Sequence, residues 1–278
     1  MYDDRCGRGP FILFRILLSY LQRCALRAGV FYVAAALLIL AAPAIARAGT
    51  AGPGPPFTAQ LHDQINLWQG ERLLTLWRGD PSRKEIALTF DDGPHPPFTH
   101  RLLALLKQLN TKATFFLVGK KVDLAPGVVA MIAHDGHEVA NHTYNHLNLD
   151  KMTQAEAVTE IRLGNEAIRR ACGMTPTLFR PPGGHHHAHI LRAAGSLGMK
   201  VILWTDDPAD FANPGADVIV ARILEQVGNG SDILLHDGVE QTLEMLPDLV
   251  ARLRRNGYRF VTLSEMVHSM ETKHLVAN

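Results

Sequence analysis

Cysteine is scarce in this 278-residue chain, which has three: Cys6, Cys24 and Cys172. If the N-terminal segment bearing the first two is removed, Cys172 stands alone and no intramolecular disulfide can form. Net charge is nearly absent as well, formally +1, which gives no reason to propose a nucleic-acid partner. No Gly-rich phosphate loop follows any apolar run, which weakens a nucleotide-binding reading. Nor is there a His-Glu-x-x-His, so no helix supplies two metal ligands and a general base together. What is present, 47% hydrophobic and 20% charged residues, suits one large domain with an appendage, and an α/β barrel uses that length alone.

Residues 1–48 differ in character from the rest. Arg15, Arg23 and Arg27 precede Ala28 to Ala46, 19 uncharged and mostly apolar residues. Small-x-small exits follow at Ala44-Ile-Ala46 and Ala46-Arg-Ala48, the pattern of a signal peptide. The run is also close to the length that spans a bilayer, so residues 28–46 are expected to serve as a signal peptide or as a retained membrane anchor. Either way the protein is expected to be exported, to the periplasm or the extracellular space. Six of the 28 basic and two of the 27 acidic residues lie in this segment, which leaves the remainder at about −3. Residues 49–84 read as a Gly/Pro linker and an N-terminal extension, with a short helix at 59–68 and an extended piece at 73–77 forming a layer against the main domain.

From residue 85 to about 270 the chain alternates. Apolar runs at 86–90, 113–118, 137–140, 177–179, 200–204, 232–235 and 258–262 are separated by helical spacings at 99–109, 155–171, 217–227 and 240–256. That pattern predicts a distorted (β/α) barrel of about seven parallel strands, an α/β fold with a single catalytic domain; an open doubly wound sheet is the alternative.

Reactive residues follow directly after these runs, where barrels build their active sites. Asp91 and Asp92 end the first run, and two adjacent carboxylates at a strand mouth call for a positive partner such as a metal ion. His142 and His146, four apart, would face the same way on one helical turn. With Asp92 they make a three-ligand set that leaves positions open for water and substrate, as a catalytic zinc site requires. Asp91 is the candidate general base. Arg180, between an apolar strand and Pro181-Pro182, is placed to fix a carboxylate. His236 follows Ile233 to Leu235 on the same rim.

These segments resemble the polysaccharide deacetylase family, the NodB-homology carbohydrate esterases of family 4. Thr89 to Gly93, His142 to His146, Arg180 to Gly184, Asp207 to Phe211 and Leu234 to His236 match its five motifs in order, and Gly257 to Glu265 matches its usual ending. The resemblance covers roughly residues 80–268. It implies Asp91 as general base, Asp92, His142 and His146 as ligands of a divalent metal, and His236 as general acid. Arg180 would steady the base, Asp210 would hold the His236 ring, and Leu234 would wall the acetyl pocket. The metal would be zinc, with Co2+ or another divalent ion as alternatives. The implied activity is removal of acetyl groups from an N-acetylated polysaccharide or oligosaccharide, peptidoglycan- or chitin-like. An O-acetyl xylan esterase, a small-molecule amidase and a non-catalytic carbohydrate-binding protein are the alternatives.

Two positions depart from the family pattern. Gly183 stands where an aromatic residue is usual, and Phe211 where Trp is usual. The Gly183 N–H can still serve an oxyanion, but the aromatic wall is lost there. Beside it lies His185-His-His187-Ala-His189, absent from the family pattern and read as a solvated polar loop in preference to a second metal site or a sugar-contacting lip.

Overall fold

The computed structural model describes residues 66–69 and 72–277. The targeting segment, the Gly/Pro linker and the first part of the helix expected at 59–68 lie outside the described residues. Where that helix was expected to continue, the chain is extended instead. Leu67–Gln69 (β1) pairs antiparallel with Arg72–Leu76 (β2), and β2 runs parallel to Lys200–Ile202 (β7). A sheet edge offers this segment backbone partners and a place to bury Leu73 and Leu76, so tertiary pairing outweighs its weak local pattern. The sheet therefore begins before residue 85, and residues 72–76 are part of it rather than a layer on it.

The remaining strands fall where the apolar runs predict: Glu85–Gly93 (β3), Thr114–Leu117 (β4), Glu138–Asn141 (β5), Leu178–Phe179 (β6), Ser231–His236 (β8) and Arg259–Val261 (β9). Their order is β1-β2-β7-β6-β5-β4-β3-β8, with β9 beside the first residues of β3, and every pairing except β1 with β2 is parallel. Beyond β7 the chain crosses to the far edge of the sheet. Leu203 N–H donates to Leu76 O at 2.9 Å, after which Thr205 N–H donates to Asp232 O at 3.0 Å and Asp206 O accepts from Leu234 N–H at 2.9 Å. Asp206 and Ile233 form a parallel bridge. This seam curls the sheet into a distorted barrel.

Alternation along the strands sorts the side chains. Ile86, Leu88 and Phe90 face outward with Phe115, Leu117, Ile233 and Leu235. They pack under the helices Pro96–Gln108 (α1), Pro126–His134 (α3, after Gly119–Leu124, α2), Ala216–Gln226 (α6) and Glu240–Arg255 (α7). Ala87 faces inward with Phe116, Ala140, Leu178 and Ile202, and the same period turns Thr89, Asp91, Asp232, Leu234 and His236 to the barrel interior. Leu263–Ala277 (α8) closes the lower end with Met266 and Val267. Gln154–Cys172 (α4) starts on a capping box between Thr153 and Glu156 and stops at left-handed Gly173, and Ala188–Ser196 (α5) packs beside it. Among the described residues no helix is long and apolar enough to cross a membrane.

Candidate active site

Two consecutive strand residues normally point to opposite faces, so Asp91 and Asp92 need a break in the ladder to serve one site. The break is a bulge. Phe90 pairs with Phe115, but the next pair is Gly93 with Leu117, one residue more on β3 than on β4. Asp92 takes a left-handed φ of 71° there, which carries its carboxylate to the rim beside Asp91.

His142 and His146 reach that carboxylate from a loop, not from the helical turn that their spacing suggested. Thr143 and His146 both have left-handed φ, 66° and 57°. Asn141 Oδ1 accepts from Thr143 N–H at 2.7 Å and Thr143 Oγ1 from His146 N–H at 3.0 Å, local bonds that compete with helix. Glu160 on α4 secures Asn145 through N–H and Nδ2. The rings still converge, with His146 Nε2 at 3.0 Å and His142 Nε2 at 3.5 Å from Asp92 Oδ1.

Ligand atoms from Asp92, His142 and His146 all lie within 4.8 Å of one another, close enough to meet on one ion. His142 Nδ1–H donates to Arg180 O at 2.7 Å, which turns the Nε2 lone pair toward Asp92. Burial keeps His142 below the usual histidine range, and so neutral, the form a ligand needs. Burial opposes the charge on Asp92, but its bond to His146 and the nearby His142 hold the carboxyl below the usual carboxylate range. One carboxylate oxygen and two imidazole nitrogens are a donor set that fits zinc or a similar divalent ion.

Arg180 is fully buried just beyond β6. Its Nη1 donates to Asp91 Oδ1 and Thr89 Oγ1, both at 2.8 Å, and its Nη2 donates to Asp232 Oδ2 at 2.6 Å. Phe116 lies 4.1 Å beneath the guanidinium. One positive charge thus serves two buried carboxylates. Burial pushes Asp232 up to about 6, with Arg180 and Thr89 only partly offsetting it. The sequence reading passed over Asp232; the signal was a charge at the head of a run otherwise apolar enough to be fully buried.

Across the mouth, His236 Nδ1 lies 2.6 Å from Asp210 Oδ1. Asp210 is itself buried and accepts from His236 N–H, Thr242 Oγ1 and Phe211 N–H at 2.7–2.9 Å. Burial opposes a charge on His236, yet the bond to Asp210 and the charges of Asp210, Asp91 and Asp92 raise it to about 9. Thr242, another support absent from the sequence reading, comes from α7. Phe211 is half exposed, its ring edge-on to His236 at 5.3 Å. It borders an open groove shared with Asp92, Phe98, Arg101 and Glu240. Leu234 is buried one inward position below His236.

Gly183 is left-handed, φ 65°, in a 3₁₀ turn at Pro182–Gly184. The histidine run beside it is a solvent-accessible loop at 185–187, as expected, but its rings are tied down. Asp150 Oδ2 lies 2.6 Å from His185 Nδ1 and Oδ1 lies 2.6 Å from His187 Nδ1. His186 Nδ1 binds Gly184 O at 2.7 Å, and His189 Nε2 lies 3.1 Å from Leu149 O.

The polysaccharide deacetylase family model matches residues 78–202. A peptidoglycan-N-acetylglucosamine deacetylase of Bacillus cereus is 38% identical over 196 residues, 69% of this chain and 92% of the relative. A chitooligosaccharide deacetylase of a Bradyrhizobium species is 35% identical over 204 residues, 68% of this chain and 93% of the relative. The crystal structure of the Bc1960 peptidoglycan N-acetylglucosamine deacetylase superposes with a TM-score of 0.67 at 36% identity, covering 69% of this chain and 92% of that one. This chain belongs to the polysaccharide deacetylase family, the NodB-homology carbohydrate esterases.

Proposed function

We propose that this protein is a metal-dependent hydrolase that removes acetyl groups from N-acetylated sugars of a peptidoglycan- or chitin-like polysaccharide outside the cytoplasm. The observation that carries this reading is the placement of two proton-handling groups of opposite character around one ligand cluster. Asp91 lies beside Asp92, His142 and His146, and the His236–Asp210 pair stands across the mouth. Relatives that act on peptidoglycan and chitooligosaccharide support the substrate class. The basic-then-apolar N-terminal segment supports export, and residues 28–46 would anchor the protein if retained.

Asp92, His142 and His146 would hold the ion, zinc by donor set, with Co2+ or another divalent ion also fitting. When bound it supplies Lewis acidity toward the amide carbonyl and lowers the pKa of water. Asp91, kept in place by Arg180, accepts a proton from the attacking water at Oδ2, since Oδ1 is already engaged. The Gly183 N–H serves the developing oxyanion. His236 gives its Nε2 proton to the departing amine while Asp210 fixes the ring through Nδ1. Leu234 walls the acetyl methyl and Phe211 covers the sugar beside His236.

Acetate release from peptidoglycan, chitin oligomers and acetylated xylan, measured side by side, tests the reading. Release from the first two above the third is expected. Release from xylan alone would make the protein an O-acetyl esterase, and tight binding without release would make it a carbohydrate-binding protein.

A further inference from the structure

Gly183 leaves room that another residue fills. A Cβ built on Gly183 would lie 3.1 Å from His185 Nε2 and 3.2 Å from its Cδ2, so the His185 ring occupies the space into which a side chain at 183 would project. The ring is fixed from its far side by Asp150, 2.6 Å from Nδ1. Asp150 is fixed in turn by His187 on its other oxygen, and it follows His146 by four residues. The ring is therefore clamped between the loop that carries a candidate metal ligand and the turn that carries the candidate oxyanion donor. The side chain of His185 is 35% exposed, buried enough to be held and open enough to be touched. With Nδ1 held against Asp150, the ring turns Nε2 into the space beside Gly183. The histidine run is not a second metal centre as arranged: among the described residues only Asp92, His142 and His146 bring three ligand atoms within 4.8 Å of one another.

We infer that His185 is a specificity-determining residue that contacts the sugar: its imidazole forms the wall that Gly183 does not, and Nε2 hydrogen-bonds a sugar hydroxyl. Asp150 is the positioning residue for that ring. The inference rests on the deacetylase reading and names how the same site selects a hydroxyl-bearing N-acetylhexosamine.

The test is a pair of variants assayed on an N-acetylglucosamine tetramer and on 4-nitrophenyl acetate, which has no sugar hydroxyl. His185→Ala should raise KM for the tetramer about tenfold, the loss of one hydrogen bond and its apolar contact, with kcat nearly unchanged. It should leave hydrolysis of the aryl acetate unaffected. His185→Gln, which restores a hydrogen-bonding group, should recover part of the loss. Tetramer affinity by calorimetry, measured in an Asp91→Asn background, should weaken by the same factor. Unchanged KM and affinity in His185→Ala, with metal content and melting temperature intact, overturns the inference. So does a fall in kcat on both substrates, which would make the ring structural. A wild type that releases acetate from no sugar overturns the deacetylase reading instead, and the calorimetric arm still decides the role of His185.

Discussion

Asp91 and His236 are register partners on adjacent parallel strands, β3 and β8, and their side chains face the same way. Asp237 N–H donates to Asp91 O at 2.9 Å, the rung that locks the two rows together. The separation of the proposed base and acid is therefore set by a backbone ladder, which leaves each side chain free to be exchanged without moving the other. Asp91→Asn and His236→Ala should each lose on the order of 10²–10⁴-fold in kcat while keeping the metal and binding sugar nearly normally. Wild-type rates in both variants would remove the mechanism.

The metal assignment stands on one residue in the bulge of β3 and two from the loop after β5. Replacing His142 or His146 by Ala should remove most bound metal and activity, because two protein ligands hold an ion poorly. Elemental analysis of purified protein checks it. The same measurement after deletion of residues 185–189 shows whether any of the metal sits on the histidine run; a ratio that stays near one per chain in both single variants and in the deletion rules the assignment out.

A pH profile separates the acid from everything else. Burial opposes the charge on His236, but Asp210, with Asp91 and Asp92, raises the ring to about 9, so the protonated, working form prevails below that pH and is lost above it. The alkaline limb of kcat/KM should fall there. Asp210→Asn removes the negative charge while burial remains, so the ring loses its proton more readily and the alkaline limb should move toward neutral pH. An unmoved limb would mean that another group sets it.

Asp232 makes a prediction about stability rather than rate. Its folded-state value is raised to about 6, so the folded protein binds this proton more tightly than the unfolded chain does. That contribution favours folding at low pH and is lost as pH rises from about 4 to about 6. Asp232→Asn cannot titrate there. Comparing urea midpoints, the wild type should lose stability relative to the variant across that window, and parallel curves would contradict it. Replacing Arg180 by Met is a harsher change, costing roughly 3–5 kcal/mol because two buried carboxylates lose their shared partner.

The parallel strands and their crossover helices were legible because each is a short apolar run or a helical repeat bounded by turns, and the reactive residues sit just past the runs. The extended piece at 73–77 was expected and found, but its place as a strand of the sheet, and the extended rather than helical chain at 67–68, depend on β7, more than a hundred residues away. The helix proposed for His142 and His146 failed for a different reason. Spacing reports only that two side chains can meet, and Asn141 and Thr143 bring them together through side-chain bonds to a left-handed loop. Asp232 was lost inside a strand boundary, and the partner of His185 could not be read because Asp150 is distant in sequence and ordinary in type.

The seam of residues 203–206 reaches further than closing the barrel. Thr205 Oγ1 accepts from Asp232 N–H at 2.9 Å, Asp232 holds Arg180, Arg180 holds Asp91, and the chain leaving the seam delivers Asp210 to His236. Base and acid thus share a single point of failure in the backbone. A molecule with this seam unzipped would lose both at once, so thermal inactivation should coincide with the opening of the barrel, with no half-competent species in between.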